Sequence, residues 1–92
     1  MARIERSDDV LGGEPRLAGT RVGVLDIYEL VIGGGYTPAD IADQIDLSLA
    51  QVYAALAYYH EHPAEMRDLK REREETKSKL AEEALGPPEP AQ

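Results

Sequence analysis

The spacing of four residues near the middle of the chain predicts a helical face that could read DNA bases. Residues at intervals of three or four share one side of a helix, as do Ser48, Gln51, Ala55 and Tyr58. A glutamine can hydrogen-bond an adenine edge, and an alanine permits contact with a thymine methyl group. The same face also suits a packing surface for another protein, and the sequence leaves both interpretations open.

Residue patterns that would support catalysis or a cofactor are weak. His60 and His62 are two positions apart and so point to different sides of a helix, whereas a helical metal pair needs a spacing of three or four. The run Gly33-Gly34-Gly35 follows a predicted helix and lacks the lysine of a phosphate-binding loop. The chain has no cysteine. We therefore expect a protein that is not an enzyme and holds neither metal nor cofactor.

Cations that could contact phosphate are absent from the middle of the chain. No lysine or arginine lies between Arg21 and Arg67, whereas that stretch holds seven acidic residues. Because phosphate contacts dominate affinity for DNA, they would have to come from N-terminal arginines such as Arg16 and Arg21, or from residues after Pro63. For Arg21 a structural ion pair across a hairpin is the favoured interpretation, and Thr20 is expected to act as a turn hydroxyl.

The elements that would position these residues form a helix-turn-helix. Short strand-like pieces at 3–5, 16–17 and 21–24 predict an N-terminal hairpin that turns at 18–20, which a partner chain is expected to cover. A first helix starts at Val24, a second is capped by Thr37 before Pro38, and a third by Ser48 with Gln51. The short link between the last two is typical of a helix-turn-helix. The third helix is expected to turn one stripe inward: Leu49, Val52, Leu56 and Tyr59.

A charged helix after His62-Pro63 is predicted to form a C-terminal arm. Met66 and Leu69 could pack on the preceding domain, whereas residues 70–79 have no apolar side chain. The helix of the arm is expected to end at the proline-rich stretch 86–90, which is predicted to be disordered. These patterns divide the chain into a domain, 1–63, and an arm, 64–92. The arm could order on a partner protein or remain a solvated helix without one.

Length and charge limit what the chain can do alone. Its 92 residues carry a net charge of −8, and its core lacks tryptophan and phenylalanine, so we expect a homodimer or higher oligomer. No signal-like or membrane-spanning stretch is present, which favours the cytoplasm. The chain has few lysines and many acidic residues. This composition has two interpretations, a protein solvated in concentrated salt or an arginine-preferring genome with an ordinary acidic surface.

Several of these residues carry a resemblance to a known family. The matching positions are Gly13, Pro15, Gly19, Thr20, Arg21, Val22, Val24, Gly35, Thr37, Ile41 and the run from Leu47 to Tyr59. Over roughly Ile4 to Pro63 the chain resembles the bacterial and archaeal domain-of-unknown-function four-three-three family, grouped with VapB-type antitoxins. The resemblance implies a mainly α-helical fold, with an N-terminal β-hairpin, a trihelical homeodomain-like or winged-helix-like core and an extended C-terminal helix.

The resemblance also implies a function. VapB-like antitoxins join a DNA-binding dimerisation domain to a C-terminal segment that blocks a PIN-like ribonuclease, so the expected partners are such a toxin and operator DNA. The candidate toxin contacts lie on the arm: Met66, Leu69, Arg71, Arg73, Lys77, Leu80 and Leu85. Two alternatives stay open, a free-standing helix-turn-helix transcriptional regulator and a protein-binding adaptor that never binds DNA.

Overall fold

The protein is mainly helical with a short N-terminal antiparallel ribbon, as the sequence predicts. The computed structural model describes residues 3–85, with side chains to residue 83. Two strands, β1 (Ile4–Glu5) and β2 (Arg16–Leu17), precede four helices. The helices are α1 (Val24–Ile32), α2 (Pro38–Ile45), α3 (Leu49–Glu61) and α4 (Pro63–Leu85). The predicted disorder of 86–90 concerns residues outside this range.

The loop 6–15 joins the two strands of the N-terminal ribbon, and the tight turn predicted at 18–20 follows β2. Ile4 pairs with Leu17 and Glu5 with Arg16. After β2 the chain reverses at Gly19, whose φ of 76° favours glycine. The Thr20 hydroxyl donates to the Leu17 carbonyl at 2.9 Å and accepts from the Val22 N–H at 3.0 Å, which confirms its predicted role as a turn hydroxyl. The strand expected at 21–24 is reduced to a single bridge between Arg16 and Gly23, because α1 already begins at Val24.

The predicted helix starts are confirmed. Thr37 caps α2 by accepting from the Asp40 N–H at 3.1 Å, and Pro38 occupies the first turn, where its missing N–H is not needed. Asp46 ends α2 in the left-handed conformation, with φ of 61°. The chain then needs only Leu47 and the cap Ser48 before α3 begins, which gives the short link expected of a helix-turn-helix pair.

The core draws on the ribbon, the first three helices and the start of α4. Its buried members are Leu17, Val24, Ile27, Ile41, Val52, Ala55 and Met66. Assignments on both predicted faces of α3 were therefore wrong. Ala55, expected on the outer face, is fully buried, and Leu49, expected inside, is 45% exposed. The inward stripe is rotated from the predicted one, with Ala55 in the core and α3 packed chiefly against α1.

The fourth helix begins on the body and continues well beyond it. Pro63 opens α4, and His62 leaves the helical conformation, as the sequence predicts. Packing continues across this break, since Met66 is fully buried and Leu69 lies against the core. From residue 74 to residue 83 every side chain is exposed, and the described molecule measures 58 × 26 × 22 Å. None of the helices within 3–85 combines the length and apolar character needed to cross a membrane.

Candidate nucleic-acid interface and C-terminal arm

The exposed face of α3 differs from the predicted base-reading face. It consists of Leu49, Ala50, Tyr53, Ala57, His60 and Glu61, with Tyr53 55% exposed. Sequence reasoning missed Leu49 and Tyr53 because it treated Ala55 as a surface residue. Counting Ala55 as apolar gives the stripe Val52, Ala55, Leu56, Tyr59 at i, i+3, i+4 and i+7, which would have placed Tyr53 outside.

Ser48 and Gln51 lie at the N-terminus of α3, but each is used to cap the helix. The Ser48 hydroxyl accepts from the Gln51 N–H at 3.0 Å, and the Gln51 side-chain oxygen accepts from the Ser48 N–H at 2.7 Å. A bidentate contact with adenine needs both the oxygen and the amide nitrogen of a glutamine. Gln51 would have to release its cap bond to read a base in this way.

Tyr58 joins α3 to α4 and is not part of the exposed face. Its hydroxyl donates to Glu65 at 2.8 Å and lies 3.4 Å from Arg6, which forms an ion pair with Glu65. Its ring stacks on the ring of His62 with 3.9 Å between centroids. The residue predicted to read bases therefore stabilises the corner where α3 meets α4.

Arg16, predicted to contact phosphate, belongs to β2 of the ribbon and is buried. Its guanidinium donates to Glu5 at 3.2 Å, to the Thr20 carbonyl at 3.1 Å and to the Ser7 hydroxyl at 2.9 Å. Only 7% of the residue is exposed, so it cannot reach a phosphate. The structural cation expected at Arg21 is thus Arg16, whereas Arg21 is exposed and makes no ion pair with any residue in 3–85.

The charges around the helix-turn-helix are therefore almost all acidic. Helices α1, α2 and α3 contain no lysine or arginine, and the exposed arginines on the N-terminal side are Arg3, Arg6 and Arg21. Arg6 is already paired with Glu65. Phosphate contacts from this face would thus depend on a few N-terminal cations.

Arg73 anchors α4 to the body through three carboxylates. Its guanidinium lies 2.7 Å from Glu14, 2.9 Å from Asp26 and 3.3 Å from Glu29. Burial alone would lower the pKa of Arg73, but hydrogen bonding to Glu14 and the charge of Asp26 outweigh burial and raise it. Asp26 also accepts from the Gly23 N–H at 3.2 Å, so one carboxylate caps α1 and holds α4.

A second clamp on α4 is aromatic. The rings of Tyr28 on α1 and Tyr59 on α3 stack with 3.4 Å between centroids, and Lys70 Nζ lies 5.0 and 5.1 Å from them. Burial raises the pKa of the Tyr59 phenol, but hydrogen bonding to Lys70 and Tyr28 outweighs burial and lowers it overall. The hydrogen bond with Tyr59 raises the pKa of Tyr28. Because the rings are stacked and the two distances are nearly equal, the ammonium group lies at the rim of the stack, where its hydrogen bond with Tyr59 links α4 to α3.

The candidate toxin contacts divide into two groups. Met66 is fully buried in the core, so its prediction as a surface contact was wrong; Leu69 packs beside it and Arg73 is held by carboxylates. Arg71, Lys77 and Leu80 are exposed, although Arg71 pairs with Asp68 at 3.1 Å. Leu85 lies at the end of α4, where only the backbone is described.

A groove of about 630 Å³ separates α4 from the loop between the two strands. Its α4 wall consists of Leu69, Glu72, Arg73, Thr76, Lys77 and Leu80, and its other wall of Leu11, Gly12, Gly13, Glu14 and Arg6. Leu11 has a positive φ of 52°, which is costly for a leucine, and its side chain lines the groove.

Metal binding finds no support among residues 3–85, where no cluster of three or more histidine and acidic residues could hold an ion. The two histidines of this part, His60 and His62, each lie against a tyrosine ring.

Comparison with known proteins gives one match. Residues 4–59 match the model of a family described as "Protein of unknown function (DUF433)". No curated protein and no solved structure matches the chain. The family match covers the ribbon and nearly all of the first three helices, and it ends before α4 begins.

Proposed function

The chain belongs to the DUF433 family, and we propose that it is the antitoxin of a type II toxin–antitoxin pair whose toxin is a PIN-like ribonuclease. The observation that carries this proposal is the distal half of α4. Every side chain from residue 74 to residue 83 is exposed, and this half of the helix projects past the body. Such a segment has the surface to dock on a second protein.

The chemistry of the distal half suits an acidic ribonuclease site. PIN-type sites hold divalent metal with carboxylates, and Lys77 and Lys79, on different sides of α4, each offer an ammonium group that could pair with such a carboxylate. Leu80, 59% exposed, adds apolar surface beside them. The arm would thereby inhibit the nuclease by occupying its site, while the first turns of α4 stay attached to the antitoxin body.

Promoter binding is the second half of the proposal. The antitoxin would act in the cytoplasm as a dimer and repress its own promoter through the N-terminus of α3 and nearby cations such as Arg21. Because its helix-turn-helix carries no lysine or arginine, toxin bound to the arm would supply further phosphate contacts. Operator affinity should accordingly be higher for the complex than for the antitoxin alone.

The test is co-purification with the product of the adjacent gene, followed by a ribonuclease assay. The full chain should bind the nuclease and silence it, whereas a chain ending after Glu75, which keeps Met66 and Arg73, should not. The double variant K77E/K79E should lose silencing, and the matched charge reversal R21E should retain it and weaken operator binding. If the full chain silences no nuclease, the antitoxin function is wrong.

A protein-binding adaptor is the second candidate, favoured by the exposed apolar residues of α3. Leu49, Ala50, Tyr53 and Ala57 form an uncharged part of this face, which ends at the exposed acidic Glu61. An adaptor would bind its partner there and never bind DNA. The variant Y53A would then abolish partner binding and leave the adjacent promoter's activity unchanged, whereas for an antitoxin it would derepress the promoter.

A further inference from the structure

The exposed face of α3 lies in the longest stretch of the chain without a charged residue. Residues 47–60 contain no lysine, arginine, aspartate or glutamate, and the next longest such stretch is 30–39. Among the described residues, these two stretches hold four of the five large exposed apolar side chains: Ile32, Tyr36, Leu49 and Tyr53. On a chain with a net charge of −8, an uncharged face is where a second acidic chain can approach at the least electrostatic cost.

The chain's own elements leave this face uncovered. Helix α3 contacts α1, α2 and α4 from its other side, which holds the buried Val52 and Ala55. Along the face Tyr53 is 55% exposed and Leu49 45% exposed, and Ala50, Ala57 and His60 are exposed too. Glu61, at the last position of α3, ends the face with a carboxylate.

We propose that this face pairs with the same face of a second copy of the chain, with the two α3 helices antiparallel. A two-fold axis level with residue 55 places Tyr53 of each copy opposite Ala57 of the other. It also places Ala50 of each copy opposite His60 of the other. Each ring thus meets a small side chain, so that the two faces can interdigitate. Isologous pairing of this kind closes after two copies.

Size and charge both select the antiparallel arrangement over the parallel one. Parallel helices in register would place Tyr53 against Tyr53 and Glu61 beside Glu61, and like charges at facing positions repel. In the antiparallel pair Glu61 of each copy lies beside Leu49 of the other, at the N-terminus of α3. The partial positive charge of a helix N-terminus favours a carboxylate there.

This pairing rests on the proposed function only for its dimer, which it deepens, and it does not depend on a toxin. Gln51 is two positions from both Leu49 and Tyr53, so it lies on a different side of α3 and stays outside the contact. The distal half of α4 takes no part either. Operator binding and toxin binding therefore remain open to the paired chain.

Cysteine pairs test the arrangement on the full chain, which has no cysteine of its own. Under mild oxidation a mixture of A50C and H60C chains should form a mixed disulfide about tenfold faster than a mixture of A50C and S78C, because a disulfide needs its two Cβ atoms close together. Ser78 is the control because it is exposed on the distal half of α4. A50C alone should not cross-link, because antiparallel pairing separates the two copies of residue 50 by roughly 15 Å along the helix, at 1.5 Å per residue.

Sedimentation equilibrium supplies an independent measurement. The variant Y53E should raise the dimer dissociation constant about tenfold or more, since each copy loses a ring and gains a carboxylate in the interface. The control L80E alters a similarly exposed residue of α4, 59% exposed against 55%, and should leave the constant unchanged. Both replaced side chains are exposed, so both variants should keep the circular dichroism spectrum of the parent chain.

Salt dependence identifies what holds the dimer together. Because each copy carries a net charge of −8, added salt should screen the repulsion between the copies and lower the dissociation constant. A dimer that loosens as salt is added would be held by ion pairs and not by the uncharged face of α3.

Each other outcome overturns the proposal in its own way. Efficient cross-linking of A50C with itself would show parallel pairing, and a dimer indifferent to Y53E would place the interface elsewhere. A chain that remains monomeric at hundreds of micromolar would refute both the surface and the dimer of the proposed function. Nuclease silencing by that same monomer would leave the antitoxin function standing, so the two failures are distinguishable.

Discussion

Arg73 shows how a single side chain can fasten one helix to the body. It reaches residues 14, 26 and 29, and its side chain is only 30% exposed. Within residues 3–85 no ladder of backbone hydrogen bonds joins α4 to the ribbon or to α1, so side chains provide the attachment: this cation, Lys70, Glu65, Met66 and Leu69.

Replacing Arg73 by alanine should destabilise the protein by about 1–3 kcal/mol, because Glu14 loses its partner while partly buried. The matched control is R71A, whose exposed pair with Asp68 should contribute less than about 1 kcal/mol. Urea unfolding followed by circular dichroism measures both. Equal midpoints for the two variants would show that Arg73 does not anchor the helix.

Ala55 and Ala57 test the orientation of α3. Ala55 is fully buried and Ala57 exposed. A55L should therefore cost about 1–3 kcal/mol through overpacking, whereas A57L should change the free energy of unfolding by less than about 0.5 kcal/mol. If A57L is the more damaging of the two, the face is assigned wrongly.

The stacked tyrosines make a pH-dependent prediction. Hydrogen bonds with Lys70 and Tyr28 lower the pKa of Tyr59 in the folded protein, so ionisation of the Tyr59 phenol stabilises the fold. This stabilisation is present above the ordinary pKa of 10.0 and is lost as the pH falls through the lowered pKa. An absorbance titration should show one of the five tyrosines ionising before the others. In K70M this early step should disappear; its persistence there would mean that Lys70 is not the cause.

At the scale of elements, α4 belongs partly to the body. A chain ending after Glu75 should unfold cooperatively near the midpoint of the full chain. One ending after Pro63 loses Met66, and loss of a buried methionine side chain alone costs about 2–5 kcal/mol, a large share of the stability of a small domain. Circular dichroism should show that this shorter chain is largely unfolded. A native spectrum with a cooperative transition would show that the core closes without Met66.

Local signals predicted the elements, and distant contacts decided the site. Thr37 with Asp40 and Ser48 with Gln51 interact over three residues, so the sequence alone located both helix starts. Arg73 and Glu14 are 59 positions apart, and no local pattern indicates their pairing. The buried Arg16 was taken for a surface cation because arginines are rarely buried, and Ala55 for a surface residue because its side chain is too small to mark a core stripe.

At the scale of the whole molecule, charge limits DNA binding. The exposed N-terminal cations are Arg3, Arg6 and Arg21. Each phosphate contact contributes about −0.9 to the slope of log operator affinity against log salt concentration. For the chain alone this slope should therefore be no steeper than about −3. R21E should reduce this slope by about one. A markedly steeper slope for the chain alone would reveal phosphate contacts from α4.

The absence of cations between Arg21 and Arg67 also determines how the protein is digested. Trypsin cuts after lysine and arginine, so it has no site in the stretch that spans α1, α2 and α3. Both limits of that stretch, Arg21 and Arg67, are exposed, as are Arg71, Lys77 and Lys79 along the arm. Digestion would therefore proceed from the two ends, shortening the arm in steps and leaving the three core helices, with Met66, as one uncut fragment even after the protein has unfolded.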